Sequence, residues 1–293
     1  MHLTMPACAI LLTTSLSAIA GDAVNETLEA GGAVNVTVRR GEVTLVGWDQ
    51  PRVAVTGTRD DRSKEFIFRR EGDSIQVEDR LPGNVHGGDG TNIVIHLPST
   101  NEVRVNLVSS DLRLENTRGR LRARTVSGDV LAENIGGDAT INTVSGDVIA
   151  DHDGEELQIE VISGDVKATS SAREVAVKSV SGDVNVQCRQ ALQHGDVSSV
   201  SGDVQLRCAP SDGSDLRLAS ISGDVIFTLS GGNATIRADA GPSGDISLSL
   251  RGETLRRENR GQGRHETLDL RVGSGDADVR VTTISGDISL RGG

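Results

Sequence analysis

Aromatic side chains are almost missing from this chain: one Trp, three Phe and no Tyr in 293 residues. Without them a thick globular core is hard to fill, and a thin core of stacked Val, Ile, Leu and Ala suits the composition better. The same scarcity removes the stacking platforms that single-stranded nucleic acid needs, and it weakens a case for sugar binding. Net charge is −12 with acidic and basic residues interspersed, so the basic patch of a nucleic-acid binder is absent too. Cysteine is rare: Cys8, Cys188 and Cys208 are too few and too far apart for a CxxC-type redox or metal site. Beyond His2, the histidines (His86, His96, His152, His194 and His265) are dispersed without partner spacing, and no G-x-S-x-G nucleophile motif occurs. No catalytic residue and no cofactor site is therefore expected.

One apolar stretch stands apart. Ala7 to Ala20 ends in the small-x-small sequence Ala18-Ile19-Ala20, as in a secretory signal over residues 1–20 cut between Ala20 and Gly21. Its shortness and its Thr and Ser content argue against an anchoring helix, and Cys8 lies ahead of the apolar run, wrong for a lipoprotein cysteine. The reading is an exported chain, periplasmic or at the cell surface, with no stable membrane span once the signal is removed.

What the chain has in quantity is Gly (35 residues) and a repeat. Ser-Gly-Asp-Val returns every 18 residues at Ser127, Ser145, Ser163 and Ser181, with a degenerate copy between each pair, so the working unit is nine residues. Position 1 is usually apolar, position 4 is acidic, and positions 5 and 7 are apolar or small. Val130 and Ala132 should face inward and Leu131 and Glu133 outward, with Ala139 and Ile141 inward in the partner unit. Stacking places Val130, Val148, Val166 and Val184 in one column about 4.8 Å apart, and Ala139, Leu157, Val175 and Val197 in the other. Glycine permits the tight corner before each strand, and Ser and Asp can bond that turn's own amides.

The fold class that follows is all-β: a right-handed parallel β-helix, or solenoid, of about 18–21 residues per coil built from two nine-residue strand-turn units. Residues 21–98 read as an irregular β cap with the first coils, and 99–250 as the regular solenoid. Residues 251–274 read as an insertion loop and strand, and 275–293 as a C-terminal coil. After Cys188 the motif spacing loosens to 20, 21 and 21 through Ser201, Ser222 and Ser243.

The Ser-Gly-Asp-Val/Ile repeats, the stretch Gly41-Glu42-Val43-Thr44-Leu45-Val46-Gly47-Trp48-Asp49 and the ending Thr283-Ile284-Ser285-Gly286-Asp287-Ile288 resemble the bacterial putative adhesin family, exported β-strand-repeat domains of unknown function. The resemblance covers roughly residues 30–293. It implies an exported β-helical domain for which adhesion has been proposed from shape, and it supplies no functional residues.

Three features remain as candidate sites. The first is an acidic ladder, Asp111, Asp129, Asp147, Asp165, Asp183, Asp203, Asp224 and Asp245, beside a mixed column of Asp138, Glu156, Glu174, Asp196 and Asp215. Like charges about 5 Å apart repel by roughly 0.8 kcal/mol even in water. Turn amides and solvent screening offset that; calcium between coils is the sharper alternative, although the calcium-binding nonapeptide carries three glycines and a different Asp position. The second is Cys188 with Cys208, at position 9 of units one coil apart, close enough for a cross-coil disulfide. The third is the arginine-rich run Arg251–Arg264, either a solvated insertion or a contact for an anionic envelope polymer. The function that fits is a non-catalytic binding, adhesion or structural module whose partner is an unidentified envelope or surface macromolecule. A polysaccharide-acting β-helix enzyme and a self-assembling envelope filament are the alternatives.

Overall fold

The computed structural model describes residues 23–83, 87–260 and 265–293, and every regular element in them is a β-strand. In the middle of the stack each coil holds two strands, for example Glu156–Ser163 and Val166–Ser170, paired in parallel with the coils on either side. Backbone groups on both edges of each strand are thereby satisfied by neighbouring coils.

The core is two side chains thick. Val130, Val148, Val166 and Val184 stack in one column, continued by Val204 and Val225, and all are buried. The facing column runs Ala139, Leu157, Val175 and then Gly195, not Val197, which stacks on Val177 instead. The shift arises because the longer coil folds Leu192 inward. A Cβ on Gly195 would lie 2.9 Å from one Leu192 methyl and 3.1 Å from a Leu216 methyl, so Leu192 fills the space that a valine occupies one coil below. The same shift puts His194, rather than Asp196, between Glu174 and Asp215 in the rim column.

At both ends the chain leaves sequential order. Ala33–Trp48 forms a whole coil bent at Gly41, and it lies between Glu102–Glu115 on one side and the later strands Ser74–Arg80 and Thr91–Pro98 on the other. Antiparallel strands Ala23–Glu29, Arg52–Thr58 and Glu65–Glu71 complete that end. The other end mirrors it. Ala277–Ser285 and Ile288–Gly292 insert between the coil of Pro210–Ser222 and Val225–Leu229 and the coil of Ala234–Ala240 and Ile246–Leu248. The final coil of the sequence is thus not the last in space. Inserted, its strands gain partners on both edges, and antiparallel His265–Val272 and Glu253–Arg260 cover the far side of Ala234–Ala240.

Each end also carries a buried carboxylate held by an arginine. Arg40 grips Asp60 through both oxygens, one contact at 2.7 Å, while the Arg62 amide donates to Asp60 at 2.8 Å. Hydrogen bonding to Arg40 holds the Asp60 carboxyl down at about 2 against the opposing effect of burial. At the opposite end Glu266 accepts from the Ile246 amide and from Arg257 Nε, both at 2.8 Å.

Candidate functional site

The acidic ladder is a row of backbone clamps. Oδ1 of Asp129 accepts the amide of Asp147 at 2.9 Å, and that of Asp147 accepts the amide of Asp165 at 2.8 Å. The pattern continues through Asp183, Asp203 and Asp224, and begins with Asp111. Asp287, not Asp245, follows Asp224, and Asp245 then closes the row by bonding Asp287 at 2.9 Å, as the inserted final coil requires. Each carboxylate but that of Asp245, the last in the row, therefore serves the next coil's amide rather than its own turn's. One oxygen of each of these is committed, and the row is straight instead of convergent, whereas calcium wants six to eight oxygens around a point. Among the described residues no group of three His, Cys, Asp or Glu side chains is placed to hold a metal ion.

Glycine in the same corner is fixed by close approach. Gly164 has φ +145°, and a Cβ there would come within 2.2 Å of the Gly146 carbonyl oxygen.

Cys188 and Cys208 end equivalent strands of adjacent coils, and their thiols share a hydrogen bond. Both are free thiols in this structure; Cys208 is fully buried and Cys188 half-buried. The shared hydrogen bond, together with burial, pushes the Cys208 thiol up, and the same bond lowers Cys188. One coil below lies Ser170, and below that His152. His152 is 1% exposed, with Nδ1 3.1 Å from Ser170 Oγ and Nε2 2.9 Å from the Gly137 carbonyl, and burial lowers its pKa. Ser170 Oγ also accepts the Ala172 amide at 3.0 Å. This column resembles a nucleophile and base only in residue type: His152 and Ser170 are buried and bonded to each other and to the backbone. The role of His152 was hidden because its Nε2 reaches the Gly137 carbonyl, where an extra residue ahead of Ile135 breaks the repeat.

Within the arginine-rich run Glu253–Arg260 is a strand. Arg256 Nε bonds Glu258 at 2.8 Å and Arg257 is held by Glu266, so these two cations are spent within the fold. Residues 261–264 lie outside the described residues, as do the signal segment and its Ala20–Gly21 junction.

Two kinds of surface remain. On one sheet face Lys167, Asn185 and Gln205 stand in a straight row, with Ser289 and Ser247 farther along it. Beside the Ser-Gly-Asp corner, the residue that opens each Ser-Gly-Asp unit points outward, an orientation that the sequence pattern left open. Thr125 faces in, so Val126 faces out, and each coil repeats the choice. Val126, Val144, Ile162, Val180, Val200 and Ile221, with Val108 and Ile284 at the ends, form an exposed stripe, each 43–58% accessible. A groove of about 600 Å³ runs beside it, banked by Arg124, Asn142, Glu160 and Lys178.

A family model for Toastrack DUF4097 matches residues 27–291, and the chain belongs to that family. Solved structures of similar chains include a putative adhesin from Bacteroides fragilis NCTC 9343, 11% identical, covering 92% of this chain and 96% of that one with a TM-score of 0.40. A putative cell adhesion protein from Clostridium sporogenes ATCC 15579 is 11% identical over 92% of this chain and 100% of that one, TM-score 0.25. A putative lipid binding protein from Parabacteroides distasonis ATCC 8503 is 10% identical over 92% and 97%, TM-score 0.32. No curated protein matches this chain. Among the described residues no helix is long and apolar enough to cross a membrane.

Proposed function

We propose that this Toastrack-family chain is an exported, non-catalytic binding module of the bacterial envelope, which holds a surface or envelope macromolecule along a flat sheet face. The observation that carries the reading is the straight row of Lys167, Asn185 and Gln205, polar side chains spaced by the coil repeat instead of converging on a point. Catalysis needs acid, base and substrate gathered in distinct environments; a ladder of equivalent corners suits recognition of an extended, repetitive partner. End-to-end filament growth is disfavoured by the charged outer strands, with Glu65, Arg69, Arg70 and Glu71 at one end and Glu253, Arg256 and Glu258 at the other. The apolar leader in residues 1–20 supports export.

The test is a pull-down of the protein from solubilised envelope fractions. The reading predicts saturable capture that Lys167→Glu with Gln205→Glu weakens about tenfold, an electrostatic loss of ordinary size. Capture that these changes leave untouched removes this face from the function.

A further inference from the structure

The aliphatic stripe is a separate surface with its own geometry. Monomeric proteins seldom leave long apolar strips uncovered, and this one has the repeat of the fold itself: seven steps of about 4.8 Å, or about 34 Å. A partner whose contact residues recur at the same rise can engage the whole stripe. A second copy of this chain has that rise by construction.

Charge chooses how the second copy lies. Alongside the stripe, in stacking order, run Asn106, Arg124, Asn142, Glu160, Lys178 and Ser198, then the uncharged Ala219 and Thr282. The stripe's midpoint falls between Ile162 and Val180. A two-fold axis lying in the contact plane, perpendicular to the stack, turns one copy end for end and sets this bank against the same bank of its partner. Glu160 then faces Lys178 of the second copy, and Lys178 faces its Glu160. Arg124 falls opposite Ala219, and Asn142 opposite Ser198, so no like charges meet within this bank. With the axis along the stack, the charged bank instead faces the serine column and gains no ion pair. Lys178 has an existing partner in Asp196 at 3.6 Å, with both side chains half exposed, and such a pair yields readily. Over a stripe about 34 Å long, the roughly 800 Å² per partner of a standard interface requires a contact about 24 Å wide, so the flanking banks must take part.

We infer that the protein forms an antiparallel two-fold dimer through the Val108–Ile284 stripe, fixed in register by reciprocal Glu160–Lys178 pairs. The paired molecule leaves the Lys167 row of each copy free, so two binding faces act together. The inference does not depend on what those faces bind.

Sedimentation equilibrium of the purified protein across a range centred on about 10 µM, a typical range for modest interfaces, tests it. Wild type should be a dimer. Glu160→Lys and Lys178→Glu, each placing like charges together twice, should weaken association about tenfold or more. The double variant Glu160→Lys/Lys178→Glu should restore it, an outcome that misfolding would not produce. Ile162→Asp with Val180→Asp should be monomeric while keeping the wild-type circular dichroism spectrum. A wild type that stays monomeric overturns the inference, including one that instead floats with anionic phospholipid vesicles. So does a dimer indifferent to the stripe variants, or a double reversal no better than the singles.

Discussion

Gly164 shows how little freedom the corner allows. Its φ of +145° and the Gly146 carbonyl 2.2 Å from a would-be Cβ leave room for no side chain. Gly164→Ala should lower unfolding stability by about 1–3 kcal/mol, read as a shift in denaturant midpoint. This much was legible in the sequence, since Gly precedes Asp in every full copy of the motif. What was not legible was where the Asp would bond: a nine-residue pattern does not reveal that Asp147 clamps the coil above instead of its own turn. His152 was equally hidden, and it makes a pH prediction. Burial lowers its pKa from 6.5 in the folded chain, so between that value and its folded one the unfolded chain binds more protons. Its stabilisation is present above pH 6.5 and is lost as pH falls. Denaturant midpoints at pH 7.5 and 5 should separate in wild type, and His152→Gln should reduce the separation.

Among the elements, the paired strand ends at Cys188 and Cys208 make the clearest prediction. In an oxidising compartment we propose that the Cys188 thiolate joins Cys208 in a cross-coil disulfide, two thiols losing two protons and two electrons to an external disulfide or quinone oxidant. Thiol titration of the oxidised, unfolded protein should then find neither of these thiols free. Bridging a loop of this length should raise stability by about 3 kcal/mol, which Cys208→Ser abolishes. Two free thiols after oxidation would contradict it. The placing of these cysteines was readable from the nine-residue frame because register in a stacked sheet is set by the repeat. The frame failed where the repeat loosens: Leu192 enters the core in the longer coil, so Gly195 takes the place expected of Val197 and His194 that expected of Asp196. The end strands were beyond it as well, because insertion of Ala277–Ser285 is decided by which edges need partners, a property of the whole stack. The Asp60 clamp belongs to this scale. Its carboxyl is held at about 2 against an ordinary 3.8, so the stability it gives is complete above pH 3.8 and is lost as pH falls toward 2. Asp60→Asn should flatten acid unfolding of that end, followed by hydrogen exchange in Arg52–Thr58.

For the whole molecule the long acidic row invites a metal-dependent reading, and the geometry opposes it, with one oxygen of every carboxylate but the last committed to an amide. Equal melting temperatures in excess calcium and in chelator are expected; a rise of several degrees with calcium would restore the ion. The exposed stripe was invisible at this scale from sequence, since an apolar position 1 in a β-repeat reads equally well as core. In the proposed function a flat, periodic face binds its partner without chemistry. It is tested most directly by incubating the protein with isolated bacterial envelopes and measuring, in one experiment, protein bound and saccharide reducing ends released. Saturable binding is expected, weakened about tenfold by Lys167→Glu with Gln205→Glu, with no release above the protein-free control. Release that grows with time and protein concentration would contradict it.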